Sequence, residues 1–339
     1  MRLIKTEDAV GHVLCHDMTQ IIKDQYKDAR FRKGHVVTEE DIPVLLSMGK
    51  EHLYVWEMTS GMVHENDAAE RLLALCGQEN MIRSGVKEGK IELKAACDGV
   101  FLVDSARLVA VNSQDEVMIA TRKGGMAVRE GDKLAGMRVI PLIIEEEKLR
   151  KAEQAAGDEP LLSLKPYVRK TACIVATGGE VKKGLIKDTF TPVVIDKLKT
   201  YGIETLEVIY SGDGVENVRD AVLTMREKKP DMILCTGGMS VDPDDTTPSA
   251  IKQTGAEVVS YGAPVLPGAM FLLAYMKDGR PIMGLPGCVM YAKRTIFDLV
   301  LPRVMADVPV TKADLAKMGA GGLCLNCPTC IFPNCGFGK

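Results

Sequence analysis

Three glycine-containing loops carry the residue types that could bind a phosphorylated ligand. They are Thr177-Gly178-Gly179-Glu180, the stretch 236–245, and Leu285-Pro286-Gly287, and each follows an apolar run that is typical of a buried strand. Glycine lets the backbone approach a ligand closely, and free amides at the start of a helix attract phosphate. One Gly-Gly pair is more simply a turn, but three such loops at strand ends together indicate an anion-binding edge.

Acidic and hydroxyl side chains accompany these loops. Phosphate and diphosphate groups are commonly bound together with a divalent ion such as Mg²⁺, for which carboxylate oxygens are ligands. The Ser240 hydroxyl is a further donor for phosphate oxygens. Each acid could equally cap a helix or face solvent, and Asp245, just before a predicted helix, is the clearest case. The acids concerned are Glu180, Asp188, Asp213, Asp242, Asp244 and Asp245.

A second candidate site lies in the last thirty residues, where four of the ten cysteines are clustered. They are Cys324, Cys327, Cys330 and Cys335, in glycine-rich sequence. Four thiols at this spacing are typical of a zinc site or an iron–sulfur cluster, and the tight run of the first three favours iron–sulfur. Two disulfides are the alternative, which a reducing compartment disfavours. We therefore predict a four-cysteine metal-binding tail over 309–339, with the metal left open.

Strands that alternate with helices predict the unit that positions the three loops. Such alternation is typical of a parallel sheet, whose ligands bind at the carboxyl ends of the strands. We predict an α/β domain over 168–308, with a three-layer, mostly parallel sheet. Its predicted strands are 171–177, 204–210, 231–236 and 281–285, and its predicted helices are 188–201, 215–228, 247–254 and 291–305.

The preceding sequence predicts a separate α+β domain over residues 1–150, followed by a linker over 151–167. Short apolar runs that begin at Phe101, Leu108 and Val117 are typical of strands. A helix is predicted from Thr38 to Met48, where Thr38 and Asp41 fit a capping box.

The amino-acid composition and the net charge disfavour some classes of protein. The 339 residues are 46% hydrophobic and 26% charged, with a net charge of −3, which is typical of a folded chain and gives no basic surface for nucleic acid. The sequence shows no apolar run long enough for a membrane span and no signal peptide. We therefore expect a cytoplasmic protein that binds neither nucleic acid nor membrane.

Three segments of the α/β region resemble a known family. VATGGEVKKGLIKDTFTPVV, ILCTGGMSVDPDDTTPSAI and PGAMFLLAYMKDGRPIMGLPGCVMYAKRTIF are similar, in order and spacing, to the molybdopterin-binding domain of molybdopterin molybdenumtransferases, gephyrin and molybdopterin adenylyltransferases. The resemblance implies that the loops hold molybdopterin or its adenylated form. It also implies that Glu180, Asp213 and Asp245 handle the metal or molybdate. The predicted cofactor-binding residues are Thr177, Gly178, Gly179, Asp188, Thr236, Gly237, Gly238, Ser240, Asp242, Pro267, Gly268, Pro286 and Gly287.

The same resemblance implies insertion of molybdate into adenylated molybdopterin with release of AMP. Two departures keep other functions open. An Asp-Gly-Tyr-Ala-like motif is missing, and the usual Leu-Pro-Gly-Asn-Pro is Leu285-Pro-Gly-Cys288-Val289 here. The Cys288 thiol could bind molybdenum or copper, although a small buried apolar role is simpler. The alternatives are a non-catalytic carrier or sensor and an adenylyltransferase.

The same hypotheses predict the ligands and the protein partners. Molybdopterin and molybdate are the expected ligands, and other proteins of cofactor biosynthesis or a target molybdoenzyme are candidate protein partners. Relatives of this domain assemble with sites between subunits, so a homodimer is plausible here.

Overall fold

Two compact units make up the chain in the computed structural model, which describes residues 2–22, 26–56, 60–240, 242 and 245–339. Unit 1 comprises Met1–Cys97, Phe101–Gly124 and Arg129–Leu164. Unit 2 comprises Asp98–Val100, Gly125–Val128 and Lys165–Lys339. All the predicted site residues lie in unit 2.

Short strands and four helices occupy the described residues up to 166. The helices are α1 (Asp41–Ser47), α2 (Glu65–Ala74), α3 (Ser105–Asn112) and α4 (Glu146–Ala156). The strands are β1 (Arg2–Lys5), β2 (Val13–Leu14), β3 (Met18–Ile22), β4 (Tyr26–Phe31), β5 (His52–Trp56), β6 (Met62–His64), β7 (Met81–Arg83), β8 (Ile91–Ala95), β9 (Gly99–Val103), β10 (Val117–Thr121), β11 (Met126–Val128), β12 (Lys133–Val139), β13 (Ile143–Glu145) and β14 (Leu162–Pro166).

The sheets of unit 1 are small and antiparallel. A three-stranded sheet has the order β1-β5-β2, and a four-stranded sheet has the order β10-β12-β8-β7. The predicted helix near residues 38–48 is present as α1, and the Asp41 carboxylate accepts hydrogen bonds from the Thr38 amide and hydroxyl, both at 2.8 Å. The mixture of strands and helices agrees with an α+β arrangement.

Two details of this region differ from the sequence-based expectation. The apolar run that begins at Leu108 lies in the helix α3 and is not a strand, because the Asp104 side chain accepts a hydrogen bond from the Arg107 amide and caps a helix there. The stretch 151–167 contains the end of α4 and all of β14. Leu149, Ala152 and Ala156 are buried on one face of α4, which gives the stretch more regular structure than a linker.

Unit 2 is a mixed α/β fold, as the sequence predicts. Its remaining helices are α5 (Gly179–Lys182), α6 (Phe190–Lys199), α7 (Val215–Glu227), α8 (Thr247–Gln253), α9 (Ile296–Met305) and α10 (Lys312–Lys317). Its remaining strands are β15 (Thr171–Thr177), β16 (Glu204–Ser211), β17 (Met232–Thr236), β18 (Glu257–Tyr261), β19 (Leu272–Tyr275) and β20 (Pro281–Leu285).

A six-stranded sheet organises unit 2, with the strand order β16-β15-β17-β20-β19-β18. The first four strands in this order are parallel. The last two are antiparallel to their neighbours, and the sequence analysis had not predicted them. Because β15, β16, β17 and β20 run in one direction, the loops that follow them all leave the same edge of the sheet.

Alternate side chains of β15 face two different hydrophobic clusters. Ala172 and Ile174 pack in a cluster with residues of α6 and α9, whereas Cys173 and Val175 pack in a cluster with residues of α7 and α8. Burial on both faces explains why the strand is a continuous apolar run. The sheet is therefore held rigidly behind its loops.

The closing helix begins later than the predicted residue 291. Thr295 caps α9, since its hydroxyl accepts a hydrogen bond from the Phe297 amide and the Asp298 carboxylate accepts one from the Thr295 amide. This reciprocal capping box fixes the start of the helix at Ile296. Residues 287–290 form a short 3₁₀ turn instead. Within the described residues, none of the helices combines the length and the apolar character that crossing a bilayer requires.

Candidate functional site

The loops after β15 and β16 contact each other through Gly179 and Asp213. The Gly179 amide donates to both carboxylate oxygens of Asp213, at 3.1 and 3.0 Å. A Cβ atom added to Gly179 would collide with that carboxylate, so glycine permits the close approach. Glu180 follows in the first turn of α5 and is exposed. The structure thus places Glu180 and Asp213, two of the predicted acids, on one pair of neighbouring loops.

The loops after β15 and β17 are also in contact. The Thr177 hydroxyl donates to the carbonyl oxygen of Thr236 at 2.9 Å. Gly237 has φ +83°, and a Cβ there would lie 2.5 Å from the carbonyl oxygen of Thr177. The Thr247 hydroxyl donates to the carbonyl oxygen of Gly237 at 2.9 Å, so this hydroxyl is occupied by the backbone. The turn after β17 is therefore fixed on both sides.

A pocket of about 530 Å³ lies between the loops after β17 and β20. Six predicted residues line it: Gly237, Gly238, Ser240, Asp245, Pro286 and Gly287. Five further residues complete the lining: Met239, Ala269, Met270, Cys288 and Tyr291. The pocket therefore combines glycine backbone, one carboxylate, the hydroxyls of Ser240 and Tyr291, one thiol and an apolar wall. Of the three predicted acids Glu180, Asp213 and Asp245, Asp245 is the one that lines it.

An adjoining pocket of about 830 Å³ shares Ser240 and Asp245 with the first and adds Asp242. Tyr261 also lines it, and its hydroxyl donates to the carbonyl oxygens of Met239 and Ser240, at 3.1 and 3.0 Å. Burial, and secondarily the charge of Asp245, raises the pKa of Tyr261 above its ordinary value. Asp244, which the sequence singles out, lies outside the described residues, as do residues 241 and 243.

Asp188 caps α6. One carboxylate oxygen accepts from the amides of Phe190 and Thr191, at 2.9 and 3.0 Å, and the other accepts from the Tyr210 hydroxyl at 3.2 Å. Partial burial opposes ionisation, but the hydrogen bonds from Thr191, Phe190 and Tyr210 outweigh it and hold the pKa of Asp188 below its ordinary value. Of the two roles that the sequence allows for Asp188, the contacts describe the helix cap.

Pro267 and Gly268 lie behind the pocket wall. The peptide bond between Leu266 and Pro267 is cis, and Gly268 has φ +125°. A Cβ on Gly268 would lie 2.5 Å from the side chain of Ile296. The two residues thus pack against the start of α9, and the next two, Ala269 and Met270, line the pocket.

Several pocket residues were not predicted from the sequence. Met239 is buried beside Gly284, where an added Cβ would lie 2.6 Å from the methionine sulfur, so the glycine in β20 makes room for it. Met270 lies two residues after Gly268 and Tyr291 lies four residues after Gly287, and this closeness to predicted motifs is the sequence signal that could have identified them. Burial raises the pKa of the Cys288 thiol, which lines the same pocket.

The four tail cysteines line a separate pocket of about 470 Å³ in unit 2. All four are unpaired thiols, so the two disulfides considered as an alternative are not formed. Among the described residues, no three His, Cys, Asp or Glu side chains lie close enough together to hold one metal ion. A hydrogen bond from the Phe332 amide, and another from Arg294, lower the pKa of Cys330 below its ordinary value. Tyr291 lines this pocket as well as the pocket between the loops.

Parallel strands, alternating helices and a pocket at the carboxyl ends of the strands define unit 2 as an α/β ligand-binding domain. Residues 173–306 match the family model of a probable molybdopterin binding domain. This part of the chain is therefore similar to the molybdopterin-binding domains of molybdenum cofactor biosynthesis. Residues 3–57 match a second model, a domain of unknown function (DUF8806).

Two curated relatives and one solved structure illustrate the similarity. A molybdopterin molybdenumtransferase of Synechococcus elongatus is 22% identical over 216 residues, which cover 60% of this chain and 51% of that protein. A CinA-like protein of Thermosipho melanesiensis is 34% identical over 95 residues, which cover 26% of this chain and 22% of that protein. The chain thus spans about half or less of the length of these relatives. The molybdopterin biosynthesis enzyme MoaB of Thermus thermophilus has 17% identity and a TM-score of 0.35, over 42% of this chain and 97% of that one.

Proposed function

We propose that unit 2 binds adenylated molybdopterin at the pocket between the loops after β17 and β20, and that the protein inserts molybdate with release of AMP. The observation that supports this proposal is the lining of the pocket, where Gly237, Gly238, Ser240 and Asp245 meet Pro286 and Gly287. Backbone amides and a hydroxyl suit phosphate oxygens, and the apolar wall suits a ring.

The chain's own residues have separate tasks in this proposal. The glycine backbone and Ser240 bind the phosphate groups, whereas Glu180, Asp213 and Asp245 hold Mg²⁺. Carboxylate oxygens suit this ion, because Mg²⁺ is usually held by one or two carboxylates together with phosphate oxygens and water. The described structure does not group the three carboxylates, and Asp245 is the one that lines the pocket. The two Asp213 oxygens accept the Gly179 amide and keep further lone pairs for a ligand. The ion would neutralise phosphate charge as AMP leaves.

The proposal is tested by AMP release from adenylated molybdopterin in the presence of Mg²⁺ and molybdate. We expect Asp245→Asn to lower the rate by at least about tenfold, since a ligand carboxylate is lost. Asp196→Asn is the matched control, because Asp196 is exposed on α6 and pairs with Lys199 at 3.8 Å, away from the pocket. AMP release by the unchanged protein that does not exceed background would contradict the insertion reaction.

A non-catalytic carrier or sensor is the second candidate function. The thiol of Cys288 in the pocket, where the family pattern has an amide, and the cysteine tail beside it favour this candidate. Tight binding of the pterin without AMP release would support it. Adenylyl transfer onto molybdopterin is the third candidate, and consumption of ATP in the absence of molybdate would reveal it.

The proposal also covers the cysteine tail, the cellular location and the oligomeric state. The four cysteines bind a metal, with zinc and an iron–sulfur cluster as the two candidates that their spacing allows. The protein acts in the cytoplasm, where it exchanges the pterin with other proteins of cofactor biosynthesis or with a molybdoenzyme. A homodimer, in which subunits share the site, is part of the same proposal.

A further inference from the structure

The four tail cysteines line a pocket whose volume is much larger than that of one metal ion. Cys324, Cys327, Cys330 and Cys335 all line the same pocket of about 470 Å³. A zinc ion sits about 2.3 Å from each of its four sulfur ligands and leaves no volume between them. A pocket walled by thiols therefore has room for a polyatomic inorganic group.

Besides the cysteines, this pocket is lined by apolar and cationic side chains. Leu325, Ile331 and Phe332 supply apolar surface, and Lys293 and Arg294 supply positive charge. The described residues that line the pocket include no carboxylate. A cluster held by four thiolates is anionic, and nearby cations together with an apolar surrounding stabilise it and set its potential.

Two residues that carry hydrogen-bond donors lie beside Cys330. Arg294, with its guanidinium, and Phe332, with its amide, line the pocket together with this cysteine. The guanidinium is held in place, since its Nη1 donates to Asp298 at 2.8 Å and its central carbon lies 5.0 Å from the centre of the Phe332 ring. Donors to cluster sulfurs are a common means by which proteins tune iron–sulfur sites.

Backbone contacts hold the tail against the rest of unit 2. The Leu266 amide donates to Gly322, and the Cys324 amide donates to Leu266, both at 2.8 Å. Lys293 Nζ donates to the Pro328 carbonyl oxygen at 3.0 Å. Lys293 belongs to the segment between β20 and α9, so the tail is fastened next to the loop that lines the other pocket.

We propose that the tail binds an iron–sulfur cluster through Cys324, Cys327, Cys330 and Cys335, seated against Arg294 and Lys293. Each thiol releases its proton to solvent as its sulfur bonds iron. The inference deepens the metal-binding part of the proposed function and rests on that part alone. Because Tyr291 lines both pockets, the cluster lies beside the candidate pterin site.

The test is reconstitution of the full chain under strict exclusion of oxygen. Ferric iron, sulfide and a thiol are offered in one sample, where the thiol reduces the part of the iron that the cluster holds as ferrous, and zinc alone is offered in another. We expect a brown chromophore with iron and acid-labile sulfide bound in equal amounts. A colourless protein that binds one zinc ion per chain, or one that retains neither metal, would overturn the proposal.

Single cysteine variants locate the site. Cys327→Ser and Cys330→Ser, both at exposed residues, are each expected to lose most of the bound iron and the chromophore. Cys15→Ser is the matched control, because Cys15 is a half-buried thiol in unit 1. This variant should keep both the bound iron and the chromophore. Circular dichroism shows whether each variant is folded. Equal iron content in all three variants would exclude the tail as the site.

Pterin binding is measured on the same samples. A colourless protein that binds adenylated molybdopterin contradicts the cluster and leaves the pterin function standing. A brown protein that binds no pterin contradicts the pterin function and leaves the cluster standing.

Discussion

At the scale of single residues, the turn after β17 requires glycine at position 237. Its φ of +83° is unfavourable for other residues, and an added Cβ would also lie 2.5 Å from the carbonyl oxygen of Thr177. We expect Gly237→Ala to lower the free energy of unfolding by about 3 kcal/mol, because it combines backbone strain with a steric clash. Urea denaturation of the purified chain measures this change.

Gly279→Ala separates the effect of backbone strain from the effect of the steric clash. Gly279 has φ +80°, and an added Cβ would meet no atom within 4 Å. Its substitution should cost about 1 kcal/mol, which reflects the strained backbone alone. Equal effects at the two positions would show that the contact between Gly237 and Thr177 is unimportant.

The hydrogen bonds of Asp188 predict a dependence of stability on pH. The folded state holds the pKa of this carboxyl below its ordinary value. The stabilisation is therefore fully present above the pKa of the unfolded chain and is lost as the pH falls through the lower pKa of the folded state. We expect Asp188→Ala to cost about 1 kcal/mol near neutral pH, the typical value of a helix cap, and less in acid.

Asp196→Ala, on the exposed side of α6, is the control, because Asp196 pairs with Lys199 at 3.8 Å, and we expect it to change the unfolding free energy by less than about 0.5 kcal/mol. A cost of Asp188→Ala that is the same in acid and at neutral pH would contradict the capping role.

The residue types at the site could be predicted from the sequence, but their individual roles could not. Glycines and acids after strands indicated one edge of the sheet, and Gly237, Ser240 and Asp245 do line one pocket there. Met239 and Tyr291 have no distinctive chemistry in a sequence, and they enter the pocket through packing. An aspartate can serve equally as a helix cap or as a metal ligand. The role of Asp188 could therefore be described only from its contacts in the structure.

At the scale of elements, strands buried on both faces could be predicted almost to the residue. β15 and β20 have the predicted bounds because their flanks are marked by glycine, proline and charged residues. The antiparallel strands β18 and β19 were missed because β18 is not fully buried at any residue and the connection between them contains no standard hairpin signal. They matter for the site, since Tyr261 at the end of β18 supports the loop after β17.

The first turn of α9 contains a buried carboxylate that should be costly to alter. Asp298 is 3% exposed and pairs with Lys197 at 3.0 Å and Arg294 at 2.8 Å. Asp298→Asn leaves both cations without their buried counter-charge, and we expect a loss of about 3 kcal/mol in chemical unfolding.

Asp314 offers a matched control for that measurement. It occupies the same capping-box position in α10, but its side chain is 24% exposed, and its contact with Arg303 is longer, at 3.8 Å. Asp314→Asn should cost about 1 kcal/mol or less. If Asp298→Asn were no more harmful than this control, the ion pairs of Asp298 would contribute little.

At the scale of the whole molecule, the cysteine tail is part of the folded core of unit 2. Phe337 is 4% exposed and belongs to the hydrophobic cluster on one side of the sheet. We expect Phe337→Ala to destabilise the chain by about 3 kcal/mol, because it leaves a cavity. Ile331→Ala, at a residue that is 57% exposed in the same tail, should change stability by less than about 0.5 kcal/mol.

Thermal unfolding followed by circular dichroism makes this comparison. Similar, small effects of the two substitutions would show that the tail is not anchored by Phe337, and that it unfolds separately from the sheet.

The Gly338 amide donates a hydrogen bond to the Gly321 carbonyl oxygen. This bond closes the segment 321–338, which contains the four tail cysteines, into a loop. Closing a loop of this kind costs conformational entropy, and here that loss accompanies folding of the chain itself. An inorganic ligand then meets four cysteines on a loop that is already closed, so that only their side chains have to converge on it. The same segment as an isolated peptide would have to lose that entropy on binding, and its affinity for the ligand should be correspondingly weaker.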